Sequence, residues 1–173
     1  TQNPATAADM YNTAVGINAG NAVTTGLKNT IIGGQAGDAL TDADYNVVLG
    51  FGALTTDTLG SGSVAIGTDA LNTQNFTTAT TSYNTAVGHL AGAAVTTGTG
   101  NTLIGGLSGD ALTTGNTNVA MGYGSLTTDT LGDRAVAIGY GALQTQNFTT
   151  TTDNYNTGVG YAAGQSITTG VQN

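Results

Sequence analysis

The chain has 173 residues, the size of one ordinary domain, yet Gly (28) and Thr (35) together fill over a third of it. Charged residues are only 7%, and ten Asp face just Lys28 and Arg134, giving a net charge of −8. This excludes a basic nucleic-acid footprint, a Cys-based disulfide or thiolate-metal scaffold and a helical bundle, which Gly and Thr disfavour; nor does any run of about 18 apolar residues exist.

Repetition organises what remains. A shift of 72 lays the chain on itself without a gap. Residues 1–72 match 73–144 at 45 of 72 positions, and a third copy opens at Thr145-Gln146-Asn147, as Thr1-Gln2-Asn3 and Thr73-Gln74-Asn75 open the first two. Within each copy, Asn12-Thr13-Ala14-Val15-Gly16 returns at Asn29, Asn46 and Ser63 in steps of 17. After a step of 21 the series resumes at Asn84, Asn101, Asn118 and Ala135, and then at Asn156. No leader is expected within these residues. Residues 1–173 are expected to be a single segment of a longer fibre, with super-repeats 1–72, 73–144 and a partial 145–173.

The first predicted element is the motif itself, a short strand rich in β-branched residues. It ends at an invariant glycine: Gly16, Gly33, Gly50, Gly67, Gly88, Gly105, Gly122, Gly139 and Gly160. Glycine turns the chain through φ > 0 without steric cost. Three residues on stands a small residue, from Ala19 to Ala163, followed by Gly or Leu. Ala-Val-Thr-Thr-Gly (22–26) and Leu-Thr-Thr-Asp-Thr-Leu-Gly (54–60) are the predicted second strand and its turn. The four extra residues of each 21-residue step form a longer loop. Phe76 and Phe148 are expected to plug that loop into the core, and Tyr11, Tyr83 and Tyr155 to brace it.

A 17-residue unit is too short for a parallel crossover through a helix. It suits one coil of a parallel β-solenoid, and nine or ten coils at about 4.8 Å each make a rod roughly 45 Å long. Ladders of Asn on Asn and Thr on Thr would hold such a stack. Alternate strand residues face opposite sides. The second and fourth motif positions (Val64, Ile66) share one side; the third (Ala14, Ile31, Val48, Ala65, Ala86, Leu103, Ala120, Ala137) takes the other. Both sides are apolar or small, whereas a wet face should be polar. The third column is therefore the candidate inter-chain face, covered by another chain.

Ser63-Val64-Ala65-Ile66-Gly67 and Ala135-Val136-Ala137-Ile138-Gly139 look like the head repeat of YadA-like trimeric autotransporter adhesins, and the Asn-Thr-Ala-Val-Gly-x-x-Ala-Gly copies resemble phage tail-fibre repeats. The resemblance covers the whole chain. It implies an all-β fold, a left-handed parallel β-roll, in a side-by-side homotrimer serving as an adhesive head or fibre outside the cell. The coils here are longer than those typical of that head.

Little in the chain suits catalysis, and we expect no enzyme activity, cofactor or metal. His89, the one histidine, follows a turn glycine with no orienting partner in sequence. Asp38 and Asp110, like Asp57 and Asp129, stand four coils apart, roughly 19 Å at this rise, too far for paired-carboxylate chemistry. Asp42 and Asp44 beside Asp38 are expected to be solvated turn acids, since the Gly-Gly-x-Gly-x-Asp calcium repeat is absent. Phe51, Tyr123, Tyr140 and Tyr161 share the column after the invariant glycine and are candidates for surface binding, to a sugar or a protein receptor, or for packing between chains. The expected role is a structural and adhesive fibre segment on a virion tail fibre or bacterial surface. Its expected partners are copies of itself and a host-surface glycan or protein, with no nucleic acid and no membrane span. Two alternatives remain open at this point. One is a self-polymerising extracellular filament. The other is an ice-binding solenoid, whose surface would be the Thr column Thr24, Thr41, Thr58, Thr96, Thr113, Thr130 and Thr168.

Overall fold

The computed structural model describes residues 9–173. Its regular elements are thirteen short strands: β1 (Thr13–Val15), β2 (Thr30–Ile32), β3 (Val47–Leu49), β4 (Gly60–Ser61), β5 (Val64–Ile66), β6 (Thr80–Thr81), β7 (Thr85–Val87), β8 (Thr102–Ile104), β9 (Val119–Met121), β10 (Gly132–Asp133), β11 (Val136–Ile138), β12 (Thr152–Asp153) and β13 (Thr157–Val159). Nine of them, one from each motif copy, form one parallel sheet in the order β1-β2-β3-β5-β7-β8-β9-β11-β13. Like pairs with like: Ala14 with Ile31, Val48 with Ala65, Ala65 with Ala86 and Ala137 with Gly158. The chain is a parallel β-solenoid of about nine turns.

The invariant glycine is required twice over. Gly88 has φ +143°, a region closed to side chains, and a Cβ there would stand 2.5 Å from the carbonyl oxygen of Gly105 in the next coil. Stacking at strand spacing thus leaves room for hydrogen alone.

Asn residues pin the other end of each strand. Asn29 Oδ1 accepts the Asn46 backbone N–H (2.9 Å), and its Nδ2 donates to the Ala43 carbonyl (2.7 Å). Asn101 repeats this toward Asn118 and Gly115. Each buried carboxamide so satisfies backbone groups that a tight turn would leave orphaned.

The core has two kinds of coil. Where Gly follows the small corner residue (Gly20, Gly37, Gly92, Gly109, Gly164), the residue three further on is apolar: Val23, Leu40, Val95, Leu112 and Ile167. Where Leu stands there (Leu54, Leu71, Leu126, Leu143), that later residue is Asp57, Gln74, Asp129 or Gln146. The two arrangements conserve volume. A Cβ at Gly109 would stand 2.7 Å from Leu103 Cδ2 and 3.0 Å from Leu112 Cδ1, so glycine makes space for two leucines. In the other coils a fully buried Leu fills the centre itself, and the polar residue behind it enters a hydrogen-bonded network.

Two expectations need correcting. The third motif column does not face outward: Ile31, Val48, Ala65, Ala86, Leu103, Ala120 and Ala137 are buried within the single chain. Ala14, in register with Ile31, lies on the same column and is exposed in the first described coil. The reason is volume. The opposite wall already sends leucines into a narrow interior, so the smaller column turns inward and the bulkier one outward. The second strand also fails to form along the whole rod. Residues 22–26 form no strand, and the second side is extended only where β4 pairs β6 and β10 pairs β12, at the 21-residue steps. Elsewhere that side of the coil holds turns and bends, and a left-handed residue before the motif, such as Lys28 (φ 58°), Tyr45 (φ 59°) or Arg134 (φ 62°), ends the second side in coils with and without the extra strand. The phenylalanine expectation agrees with the structure, since Phe76 and Phe148 are buried. Tyr11, Tyr83 and Tyr155 instead stand out into solvent.

Candidate functional site

Strand alternation sends two side chains per coil out from the nine-stranded sheet. One column is Thr or Val, from Thr13 to Thr157. The other is large and apolar: Val15, Ile32, Leu49, Ile66, Val87, Ile104, Met121, Ile138 and Val159. None of these outward residues is charged, and every one is at least partly exposed. The acids lie elsewhere, on the turns, in the core and on the short strands β10 and β12. A continuous uncharged apolar strip thus runs the length of the sheet, and it is this face, not the Ala column, that another surface could cover.

The aromatic column borders that strip. Phe51, Tyr123, Tyr140 and Tyr161 are all exposed. The rings of Tyr123 and Tyr140 stack with centroids 5.7 Å apart, and those of Tyr140 and Tyr161 with centroids 5.4 Å apart. Coil stacking imposes this spacing, so three of the four candidates form one continuous tyrosine stack. Phe51 stands apart, in a coil near the other end. It overhangs Gly34 and helps to line a cavity of about 460 Å³ with Ile17, Asn18, Gly34 and Gln35. The gap exists because Gly34 leaves the aromatic column empty between Ile17 and Phe51. Gly106 does the same between His89 and Tyr123. The sequence signal was the pair of glycines in an otherwise side-chain-bearing column.

A second exposed row flanks the other end of the strands. It holds Tyr11, Tyr45, Tyr83 and Tyr155, and both cations of the chain. Lys28 Nζ lies 5.1 Å from the Tyr45 ring centroid, and the Arg134 guanidinium 5.7 Å from that of Tyr155. Arg134 also pairs with Asp153. These are half-exposed contacts of small energetic weight.

The Thr column is bound into the rod. Thr41 Oγ1 donates to the Thr58 carbonyl (3.0 Å), Thr96 to Thr113 (3.2 Å) and Thr113 to Thr130 (3.0 Å). The hydroxyl protons are spent on the next coil instead of facing water in a lattice. The acids singled out by sequence serve the same purpose. Asp38 accepts from Thr55 Oγ1, Asp42 from Thr25 Oγ1 and Asp44 from the Leu27 N–H, each across one coil. Among the described residues no group of three or more His, Cys, Asp or Glu is placed to hold a metal ion. His89 sits exposed on its turn.

Sequence reasoning missed a buried polar network. Asp57 and Gln74 are fully buried in successive coils, and Gln74 Nε2 donates to Asp57 Oδ2 (2.6 Å) and to Ser63 Oγ (2.9 Å). Gln74 Oε1 accepts from Asn84 Nδ2 (2.8 Å), and Asp57 Oδ1 accepts from the N–H groups of Gly60 and Phe76, both at 3.0 Å. Asp129, Gln146 and Asn156 repeat the chain of bonds. The readable signal was the strict pairing of Leu with a polar residue three positions on.

Comparison with known proteins found no matching family model, no matching curated protein and no matching solved structure.

Proposed function

We propose that the chain is a structural and adhesive fibre segment, three copies of which pack side by side through the outer face of the nine-stranded sheet, on a virion tail fibre or a bacterial surface. The observation that carries this reading is the uncharged apolar strip. A chain of net charge −8 would repel its copies at any acidic face, yet Asp is excluded from this one. At about 4.8 Å per coil the strip is roughly 43 Å long. The narrow core, filled largely by Ala and single Leu residues, argues the same way, because thin solenoids gain stability by association. The left-handed roll and the extracellular location belong to the proposal through the adhesin and tail-fibre resemblance.

Sedimentation equilibrium tests it. The expected mass is three times the 17.0 kDa chain; a monomer would leave the strip without the occupant proposed for it. An ice-binding role is the weaker reading, since the Thr hydroxyls are engaged within the rod, and absence of thermal hysteresis is the expected result.

A further inference from the structure

We propose that the gap over Gly34 is a subsite for one uncharged pyranose ring. The proposal deepens the adhesive reading and rests on it, by naming the ligand class and the place where it binds.

The gap arises from register. Seven of the nine coils carry a side chain in the column after the invariant glycine, and Gly34 and Gly106 do not. The backbones on either side of each gap are two coils apart, roughly 9.6 Å at strand spacing, and at Gly34 the space left beside the Phe51 ring is about 460 Å³, room for one pyranose ring. Phe51 leans over the Gly34 gap, its Cδ2 3.3 Å from where a Gly34 Cβ would lie, and Ile17 forms the opposite wall.

Sugars present an apolar C–H face and a rim of hydroxyls. A site for them combines an aromatic or aliphatic wall with a few neutral groups that can both donate and accept. Phe51 and Ile17 supply the walls. Asn18 and Gln35 supply two carboxamides at the rim, both exposed, with no side-chain hydrogen bond to a described residue. No charged side chain lines the gap, so an acidic sugar or a phosphate would find no cation. An apolar peptide side chain could enter, but it would strip water from both carboxamides without replacing it, which costs free energy. The chain also contains its own control. The Gly106 gap has the same aromatic overhang from Tyr123, 3.4 Å at the corresponding atom, but the residues matching Asn18 and Gln35 are Leu90 and Leu107.

The test is saturation-transfer NMR on the full 173-residue chain, with methyl glucoside, galactoside and mannoside, their neutral trisaccharides, and an acetylated phenylalanine amide as the aromatic-peptide probe. At least one glycoside is expected to receive saturation at its ring C–H protons. Gly34→Thr should abolish that signal. Its backbone is not left-handed, and the column already carries Thr68, so the fold should stand, as a thermal melt will verify. Gln35→Ala, which copies Ala162 in the same column, should weaken binding about tenfold, the worth of one good hydrogen bond. Gly106→Thr should change nothing. Saturation of no glycoside, binding that survives Gly34→Thr in a folded chain, or binding of the aromatic probe alone would each overturn the subsite. Sedimentation of the same samples separates the two readings. A trimer that takes no sugar sinks the subsite and spares the fibre, whereas a monomer whose sugar binding is lost in Gly34→Thr upholds the subsite and sinks the assembly.

Discussion

Gln74 donates its side-chain amide to the carboxylate of Asp57 in the preceding coil, 2.6 Å away and out of reach of water. Asp57 also holds the N–H groups of Gly60 and Phe76, so it closes its own turn and anchors the longer loop together. Asp57→Ala would orphan three donors at once. Leaving buried donors unmade is costly, and we expect a loss of about 3 kcal/mol in a denaturant or thermal unfolding series, with Asp129→Ala behaving alike. A loss under about 0.5 kcal/mol would mean that water reaches this network.

The two copies of the network differ in one linked pair. Ser63 and Ser82 touch through their hydroxyl oxygens at 2.6 Å, whereas the second copy has Ala135 and Asn154 in their places. The larger Asn needs the space that Ala vacates, and it turns its Oδ1 to the Asn156 N–H at 2.9 Å. Ser82→Asn alone should therefore destabilise, and Ser63→Ala with Ser82→Asn should recover most of the loss. A double-mutant cycle should give a coupling of about 1–2 kcal/mol. Strict additivity would show that the two sites do not share volume. In the second copy Asn154 Nδ2 is buried without a partner, so the Ser pair is expected to be the more stable of the two solutions.

The invariant glycines carry the stacking. Gly88→Ala should cost about 3 kcal/mol, from a strained φ together with a clash on the Gly105 carbonyl. The melting midpoint reports it. Gly34→Ala, in a backbone without positive φ where only the exposed Phe51 ring must give by a few tenths of an ångström, should cost far less.

In the proposed trimer the outer strip is the contact between chains. Ile104→Glu places a carboxylate in the middle of it, on a partly exposed side chain. The chain should stay folded by circular dichroism while its sedimentation mass falls from three chains to one, because a desolvated unpaired charge is too costly to bury. Asp110→Asn, away from the strip, should leave the mass unchanged. An Ile104→Glu trimer would remove the sheet face as the contact.

Thr hydroxyls add modestly to the rod. The Thr130 carbonyl accepts both the Thr113 backbone N–H and the Thr113 hydroxyl. Thr113→Val removes only the second bond and should cost about 0.5–1 kcal/mol by unfolding. A larger loss would identify the column as a principal source of stability.

Much of this fold was legible before any coordinates. The steps of 17 and 21 set the coils, the invariant glycine set the strand ends, and the placement of Phe76 and Phe148 followed from the extra residues around them. Local chemistry is enough there, because φ > 0 and close stacking tolerate only glycine. The exposure of Phe51, Tyr123, Tyr140 and Tyr161 was equally readable from their place after a turn. Which side of each strand faces inward was not. Alternation divides a strand into two faces but does not label them, and here both faces are apolar. The label comes from across the coil, where Leu54, Leu71, Leu126 and Leu143 occupy the interior and leave room only for small partners such as Ala65 and Ala137. Ile66 and Ile138 must then face out. The Asp57–Gln74 bond and the gap beside Phe51 join residues of different coils, and stacking alone brings them together.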